Sequence, residues 1–259
     1  MSVLAVIGAG ARRQSAFVLQ LTALLWGVFR EGGRPSSWRR TLRASFRSDL
    51  TRTVGGSLGT IGVTAVIVGL GLVFETLYWL RSAGQEEQVG RMLVIVLFRE
   101  ITPLLVGIIL LGRSGTATVA ELTMLVADGE IATLQAEGVD IFDYIVLPRA
   151  ASFALSAFTL GVVFTLLSLI SGFLSGSISG VVNTSIFGFL DNVLRAMTAG
   201  DLVLFPAKLL LIGLVVALTS CATGLNAQDD DTPSTLLPRG FTRGVTGIFS
   251  VTLLLSAAL

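Results

Sequence analysis

The sequence predicts an all-α membrane protein in which N-terminal interfacial amphipathic helices precede about five transmembrane helices. Three observations carry this. Hydrophobic residues fill 53% of the 259 positions and charged ones only 14%, against about 25% charged in an average soluble domain. Mean hydropathy is +0.83. The apolar residues also fall into runs of about twenty, the length a helix needs to cross a hydrocarbon core about 30 Å thick.

The formal net charge of +1 conceals a division: residues 1–56 hold nine arginines against Glu31 and Asp49, a balance of +7, and the remainder carries −6. Such a basic block suits an anionic surface like the cytoplasmic leaflet, and no nucleic-acid-binding motif accompanies it. The start, MSVLAVIGAGARR, has its apolar stretch before its arginines, the reverse of a signal peptide, and is expected to be retained. Residues 17–29, FVLQLTALLWGVF, are too short to cross the core and read as an interfacial or re-entrant element. From Ser36 to Arg52, Trp38, Leu42, Phe46 and Leu50 recur every four residues, with Arg39, Arg40, Arg43 and Arg47 between them. That spacing lays the apolar set along one helix stripe, with Ser36 or Ser37 as N-cap. It predicts a helix lying on the membrane; the alternative is a solvated helix packed on another domain. Residues 1–53 thus form a cytoplasmic and interfacial segment ahead of a transmembrane domain, 54–259.

The spans are expected at about 54–80, 89–112, 150–174, 202–225 and 241–259. The first is rich in glycine early (Gly55, Gly56, Gly59, Gly62), which lets helices approach closely in lipid. It closes on Tyr78-Trp79, an interfacial aromatic anchor. The second contains Arg99, Glu100 and Pro103 and runs on through small residues toward Ala127. One helix over 92–127 would be about 54 Å long and must break, tilt or emerge into water. Residues 128–149 form a polar loop with a short helix ended by Gly138 and a stop at Pro148. A Gly- and Ser-rich stretch containing IFGFLDNVLRAM precedes the fourth span, which carries Pro206 and Lys208. A loop with Asp229, Asp230, Asp231, Pro233 and Pro238 precedes the last. With the arginine-rich segment in the cytoplasm, five spans leave the N-terminus inside and the C-terminus outside.

Composition also narrows the chemistry. Histidine is absent, which removes His-based triads and the commonest metal ligand; no catalytic or metal site is expected. The single lysine, Lys208, stands in no glycine-rich phosphate loop, so the chain is not expected to hydrolyse ATP itself. Cys221, alone, reads as a packing residue. Arg99, Glu100 and Lys208 lie inside apolar runs, where an unpaired charge costs at least about 2.5–3.5 kcal/mol. Glu100 is expected to face Lys208 or a wet cavity, as a fixed ion pair or as a mobile, ligand-sensing one. Arg113 sits near the inner end of its span among Gly112, Gly115, Ala117 and Ala120, a face for close helix packing or for ligand contact. Glu75 and Glu121 fit an interface edge. In EIATLQAEGVD, Ile131, Leu134 and Val139 supply a small apolar set flanked by Glu130, Glu137, Gly138 and Asp140, suited to the groove of a soluble partner.

The run LFREITPLLVGIILLGRSGTATVAELTMLVADGEIATLQAEGVDIFDYIVLPR resembles the MlaE (YrbE-like) permeases of ABC-type lipid transporters. The matching positions are Arg99-Glu100 with Pro103, Gly112-Arg113 with Gly115 and Ala120-Glu121, Glu130 with Leu134 and Val139-Asp140, and Pro148-Arg149. Ile141 replaces the family's proline, and only Thr242-Arg243 and their neighbours fit its glycine-rich stretch before the last span. The resemblance implies an MlaE-like permease fold and a homodimer in the bacterial inner membrane, N-terminus cytoplasmic and C-terminus periplasmic. It implies an ABC ATPase subunit that binds the loop helix and supplies ATP and Mg, an MCE-domain partner outside, and phospholipid or a related lipid held between two copies. Glu130, Ile131, Leu134, Glu137, Gly138, Val139 and Asp140 would form the ATPase-coupling segment, with Arg99, Glu100 and Lys208 as buried charges near moving helices. A membrane-embedded lipid enzyme lacks an activated nucleophile here. An ion-coupled secondary transporter is the alternative, although no repeated halves are visible.

Overall fold

The computed structural model describes residues 19–31, 40–85, 88–181, 185–227 and 231–257. The expectations for residues 1–18, for 36–39 and for the C-terminal end fall outside them. Every regular element among the described residues is helical. Residues 19–31 form α1. Helix α2 starts at Arg40 and continues through a π-helical turn, Gly69–Val73, to Ser82. Next come α3 (Val89–Ala127), α4 (Glu130–Ala136), α5 (Phe142–Ile178), α6 (Ile186–Ala196), α7 (Ala199–Leu225) and α8 (Pro233–Ser256).

Four helices are long and apolar enough to cross a membrane: Leu42–Ser82, Val89–Ala127, Phe142–Ile178 and Ala199–Leu225, of 41, 39, 37 and 27 residues. At 1.5 Å per residue the first three reach about 55–60 Å, beyond the roughly 40–45 Å of a bilayer with its headgroups. They therefore emerge into water. Residues 40–53 belong to the same unbroken helix as the first span, and their apolar stripe faces protein: Leu42 is buried, Phe46 and Leu50 half-buried, Arg43 and Arg47 exposed. The second span does not break after Gly112; α3 absorbs its length by widening into π-helix at Val94–Ile101 and Leu111–Gly115. Pro148 does not stop a loop. It sits inside the continuous helix α5, directly after a π turn at Phe142–Val146, and its missing N–H is taken up at that turn instead of ending the helix. The last helix likewise begins at Pro233, before the expected 241, because Thr232 and Thr235 close a capping box. Arg239 and Arg243 in its first half leave α8 less apolar than the other four.

Helix α7 is the centre. From Ile212 to Gly224 every residue is buried, as befits a helix surrounded on all sides, here by α3, α5 and α8. Small residues permit this approach. A Cβ on Gly213 would stand 2.7 Å from Ala154 Cα on α5, one on Gly224 2.7 Å from Leu122 Cβ on α3, and one on Gly247 2.6 Å from Val215 Cγ1. Helices α2 and α5 cross at Gly69 and Gly172, where Ser168 Oγ donates to Ala65 O at 2.9 Å. Gly55 and Gly59 behave differently: a Cβ at either would meet nothing among the described residues within 4 Å. Only 28% of the apolar part of α2 is buried, against 56% for α5 and α7, so α2 presents an open lipid-facing side. Helix α6 covers the start of α3, with Phe189 5.4 Å from the Phe173 ring. At the α4 end, α1 lies against Phe142 at Gly27 and ties to α7 through Asn226 Nδ2 and Gln20 Oε1 at 3.0 Å.

Candidate functional site

Neighbouring residues on a helix point about 100° apart, so Arg99 and Glu100 reach different partners. Arg99 Nε donates to Asp201 Oδ1 at 2.6 Å and Nη2 to Oδ2 at 3.1 Å, a bidentate, charge-assisted pair. The Asp201 side chain is 2% exposed. Its carboxylate also accepts from Thr198 N at 2.9 Å and Oγ1 at 2.8 Å, and with Thr198 forms the capping box that starts α7. Glu100 Oε1 lies 3.4 Å from Lys208 Nζ and accepts from Ser256 Oγ at 2.5 Å. Lys208 Nζ donates in addition to Ser256 Oγ at 2.8 Å and to the Arg99 carbonyl. An ammonium has three donors, and here all three are used. The network ties α3, α7 and α8 together. The gap beside it, walled by Phe98 and Phe205, is about 10 Å³, at the lower limit for one water.

The second feature is α4. Gly129 (φ 74°) precedes it and Gly138 (φ 80°) follows it, in the left-handed region that glycine adopts without penalty. Gly138 N donates to Gln135 O and Val139 N to Leu134 O, both at 3.0 Å, which is the Schellman closure. None of its residues is fully buried; Ile131, Leu134 and Val139 are half-buried and Glu130, Glu137 and Gly138 exposed. Asp140 serves the next helix instead, since its Oδ1 accepts from Phe142 N at 2.9 Å and its carbonyl from Tyr144 N at 3.0 Å, starting α5. Ile141 then stands at the first helical position, where proline is otherwise favoured. With the ends of α2 and α5, α4 bounds a cleft of about 750 Å³ that includes Ser45, Leu134, Glu137 and Arg149.

Behind this cleft an ionic cluster joins α2, α3 and α5. Arg149 Nη2 donates to Glu121 Oε1 at 2.5 Å, Arg149 Nε is 3.9 Å from Asp49 Oδ2, and Arg52 Nη1 is 3.6 Å from Glu121 Oε2. The small residues of α3 do not share one packing face. Gly115 is buried against Ser220 and Val216 of α7 and Ala120 is half-buried, whereas Gly112 and Ala117 are exposed. Arg113 is exposed too, with Nη1 3.4 Å from Thr60 Oγ1. Among the described residues no group of His, Cys, Asp or Glu is arranged to hold a metal ion. Asp201, Ser256 and Asp49 join these networks beyond what the sequence predicts. The Thr198-x-x-Asp201 spacing of a capping box is the available signal for Asp201; Ser256 and Asp49 carry none.

Long apolar helices, charges paired inside them and a short helix between the ends of two spans define a multi-pass membrane protein. The chain belongs to the MlaE permease family: residues 46–259 match the family described as Permease MlaE. It is 30% identical over 190 residues, 73% of its length, to the chloroplast protein TRIGALACTOSYLDIACYLGLYCEROL 1 of Arabidopsis thaliana, of which it covers 52%. Similarity extends to probable ABC transporter permease proteins of Porphyra purpurea (25% identical, 67% of this chain and 65% of that one) and Synechocystis (26%, 65% and 62%). The chain thus spans between about half and two thirds of these relatives' lengths.

Proposed function

We propose that this chain is the permease subunit of an ABC-type transporter that moves phospholipid or a related lipid between the bacterial inner membrane and an MCE-domain partner, with ATP hydrolysed by a separate ATPase subunit. The observation that carries this is α4: a short helix fixed by a left-handed glycine at each end, displaying Leu134 beside Glu130 and Glu137 while Ile131 packs back onto the core, at the tips of two helices that project from the bilayer. Such a helix fits a groove in a soluble partner. Because α3 and α5 leave α4 directly, a displacement of α4 bears on both, and the Asp49–Glu121–Arg149 cluster binds α2 to the same movement. The far half of α3 carries Arg99 and Glu100, so the motion reaches the charge network. Two copies would enclose the lipid, with the open side of α2 available to it. No covalent step falls to this chain; ATP and Mg belong to the ATPase. The N-terminus and α4 lie on the cytoplasmic side, the C-terminus on the periplasmic side. An ion-coupled mechanism is less well served, since Lys208 already uses its three donors in a gap with scant room for water.

The test is co-purification from native membranes. The wild-type chain should bring down a nucleotide-binding ATPase, and Leu134→Asp with Glu137→Lys should lose it while the chain stays folded. Movement of lipid by the solitary chain in liposomes without ATP would defeat the proposal.

A further inference from the structure

We propose that the cavity between α2, α3 and α5 on the α4 side of the membrane binds the phosphate of an anionic phospholipid in the adjacent leaflet. This rests on the lipid-permease reading above and adds to it a second site. The cavity measures about 220 Å³ and is lined by the guanidinium residues Arg52, Arg113 and Arg149, with Ser114, against the carboxylates Asp49 and Glu121.

Cations outnumber anions there, and the anions are committed. Glu121 is shared between Arg149 at 2.5 Å and Arg52 at 3.6 Å, and Asp49 lies 3.9 Å from Arg149. Arg113 has no carboxylate partner among the described residues; its one hydrogen bond, to the Thr60 hydroxyl, is 3.4 Å long. Arg149 Nη1 is buried and has no acceptor. A buried donor left unpaired is costly, and Nη1, with under 1 Å² of accessible surface, meets a phosphate oxygen only if the Arg149 side chain shifts toward the cavity, whereas the exposed guanidiniums of Arg113 and Arg52 already line it. Guanidinium groups suit phosphate because their donors form a planar fork.

Depth selects a lipid as the source. Arg113 is about 36 Å along α3 from Val89, and Arg52 about 45 Å along α2 from Ser82. Both distances exceed a hydrocarbon core of about 30 Å and place the guanidiniums in the headgroup layer opposite the Tyr78-Trp79 end. The outward side of α2 then runs from the cavity into the core through Gly55, Leu58, Gly59 and Val63, all exposed. With no atom among the described residues within 4 Å of a Cβ at Gly55 or Gly59, an acyl chain can lie directly along the helix backbone.

The test uses the purified complex in detergent, titrated with dioleoyl phosphatidylglycerol or dioleoyl phosphatidylcholine, with bound lipid counted by native mass spectrometry. Phosphatidylglycerol should bind about tenfold more tightly. Arg113→Gln and Arg52→Gln should each lower its affinity about tenfold, the scale of one charge-assisted hydrogen bond, while Arg113→Lys retains most of it. Equal phosphatidylglycerol binding by wild type and both Gln variants overturns the site. Displacement of the lipid by millimolar glycerol 3-phosphate overturns the lipid source and assigns the cavity to a soluble phosphate ester. Intact binding in a complex that moves no lipid would count against the proposed function and leave this site standing.

Discussion

Asp201→Ala removes the most buried charge of the intramembrane network, and its cost can be worked from the geometry. The substitution deletes both hydrogen bonds to Arg99, at 2.6 and 3.1 Å, and strands a guanidinium whose partner was 2% exposed. Breaking a buried pair from one side costs about 3–5 kcal/mol. The same change opens the capping box of α7, worth about 1 kcal/mol. Together these give about 4–6 kcal/mol, which for a domain of this size lowers the unfolding midpoint by roughly 10–20 °C. The control is Asp191→Ala, which breaks an equally short pair to Arg195, 2.7 Å, between side chains 57% and 80% exposed. Such a pair contributes only about 0.3–0.5 kcal/mol. A fluorogenic thiol dye reads both, because Cys221 is the sole cysteine and is fully buried in α7. If Asp201→Ala melted within a few degrees of Asp191→Ala, the inference that burial and bidentate geometry make this pair structural would be wrong.

Other expectations follow from the same contacts. Lys208→Met should destabilise the chain because the Arg99 carbonyl, Ser256 and the 46% exposed Glu100 lose a cation that is itself 4% exposed, and adding Glu100→Gln should recover about 0.5 kcal/mol in a double-mutant cycle. Gly213→Val should cost about 3 kcal/mol or more, since its Cβ would meet α5 backbone at Ala154, and should show as loss of monodisperse protein on size-exclusion chromatography. Gly59→Ala, in open space, should be neutral or gain about 0.5–1 kcal/mol in helix propensity. In native membranes Cys221 should resist maleimide until the protein is denatured, being buried on every side; rapid labelling of the folded chain would remove α7 from the centre of the fold.

Much of this was legible because lipid leaves a chain few choices. Apolar runs mark the four helices long and apolar enough to cross the membrane, and the cost of a lone charge there points Glu100 to Lys208 or to a wet cavity from sequence alone. The glycine after EIATLQAE marks the end of α4, since a left-handed residue must close that turn. What could not be read depends on contacts between distant segments or on strain shared along a helix. Three π-helical stretches in α3 and α5 keep those helices continuous where proline and polar residues argue for ends. Asp201 stands at the edge of its span and looks like a loop residue until the fold sets Arg99 against it. The meeting of Asp49, Glu121 and Arg149 requires the packing of three helices, and Gly112 and Ala117 share the side away from Gly115 because the π turn at Leu111–Gly115 shifts these positions out of 3.6-residue register.

The most direct measurement is lipid transfer by the reconstituted complex. Proteoliposomes containing this chain with the proposed ATPase and MCE-domain partner, loaded with fluorescent phospholipid, should pass lipid to acceptor when ATP and Mg are supplied. Transfer should stop when Leu134→Asp uncouples α4, with the ATPase active site untouched. Transfer that proceeds equally without ATP, or that survives the Leu134 substitution unchanged, would contradict a permease driven through α4 by a separate ATPase.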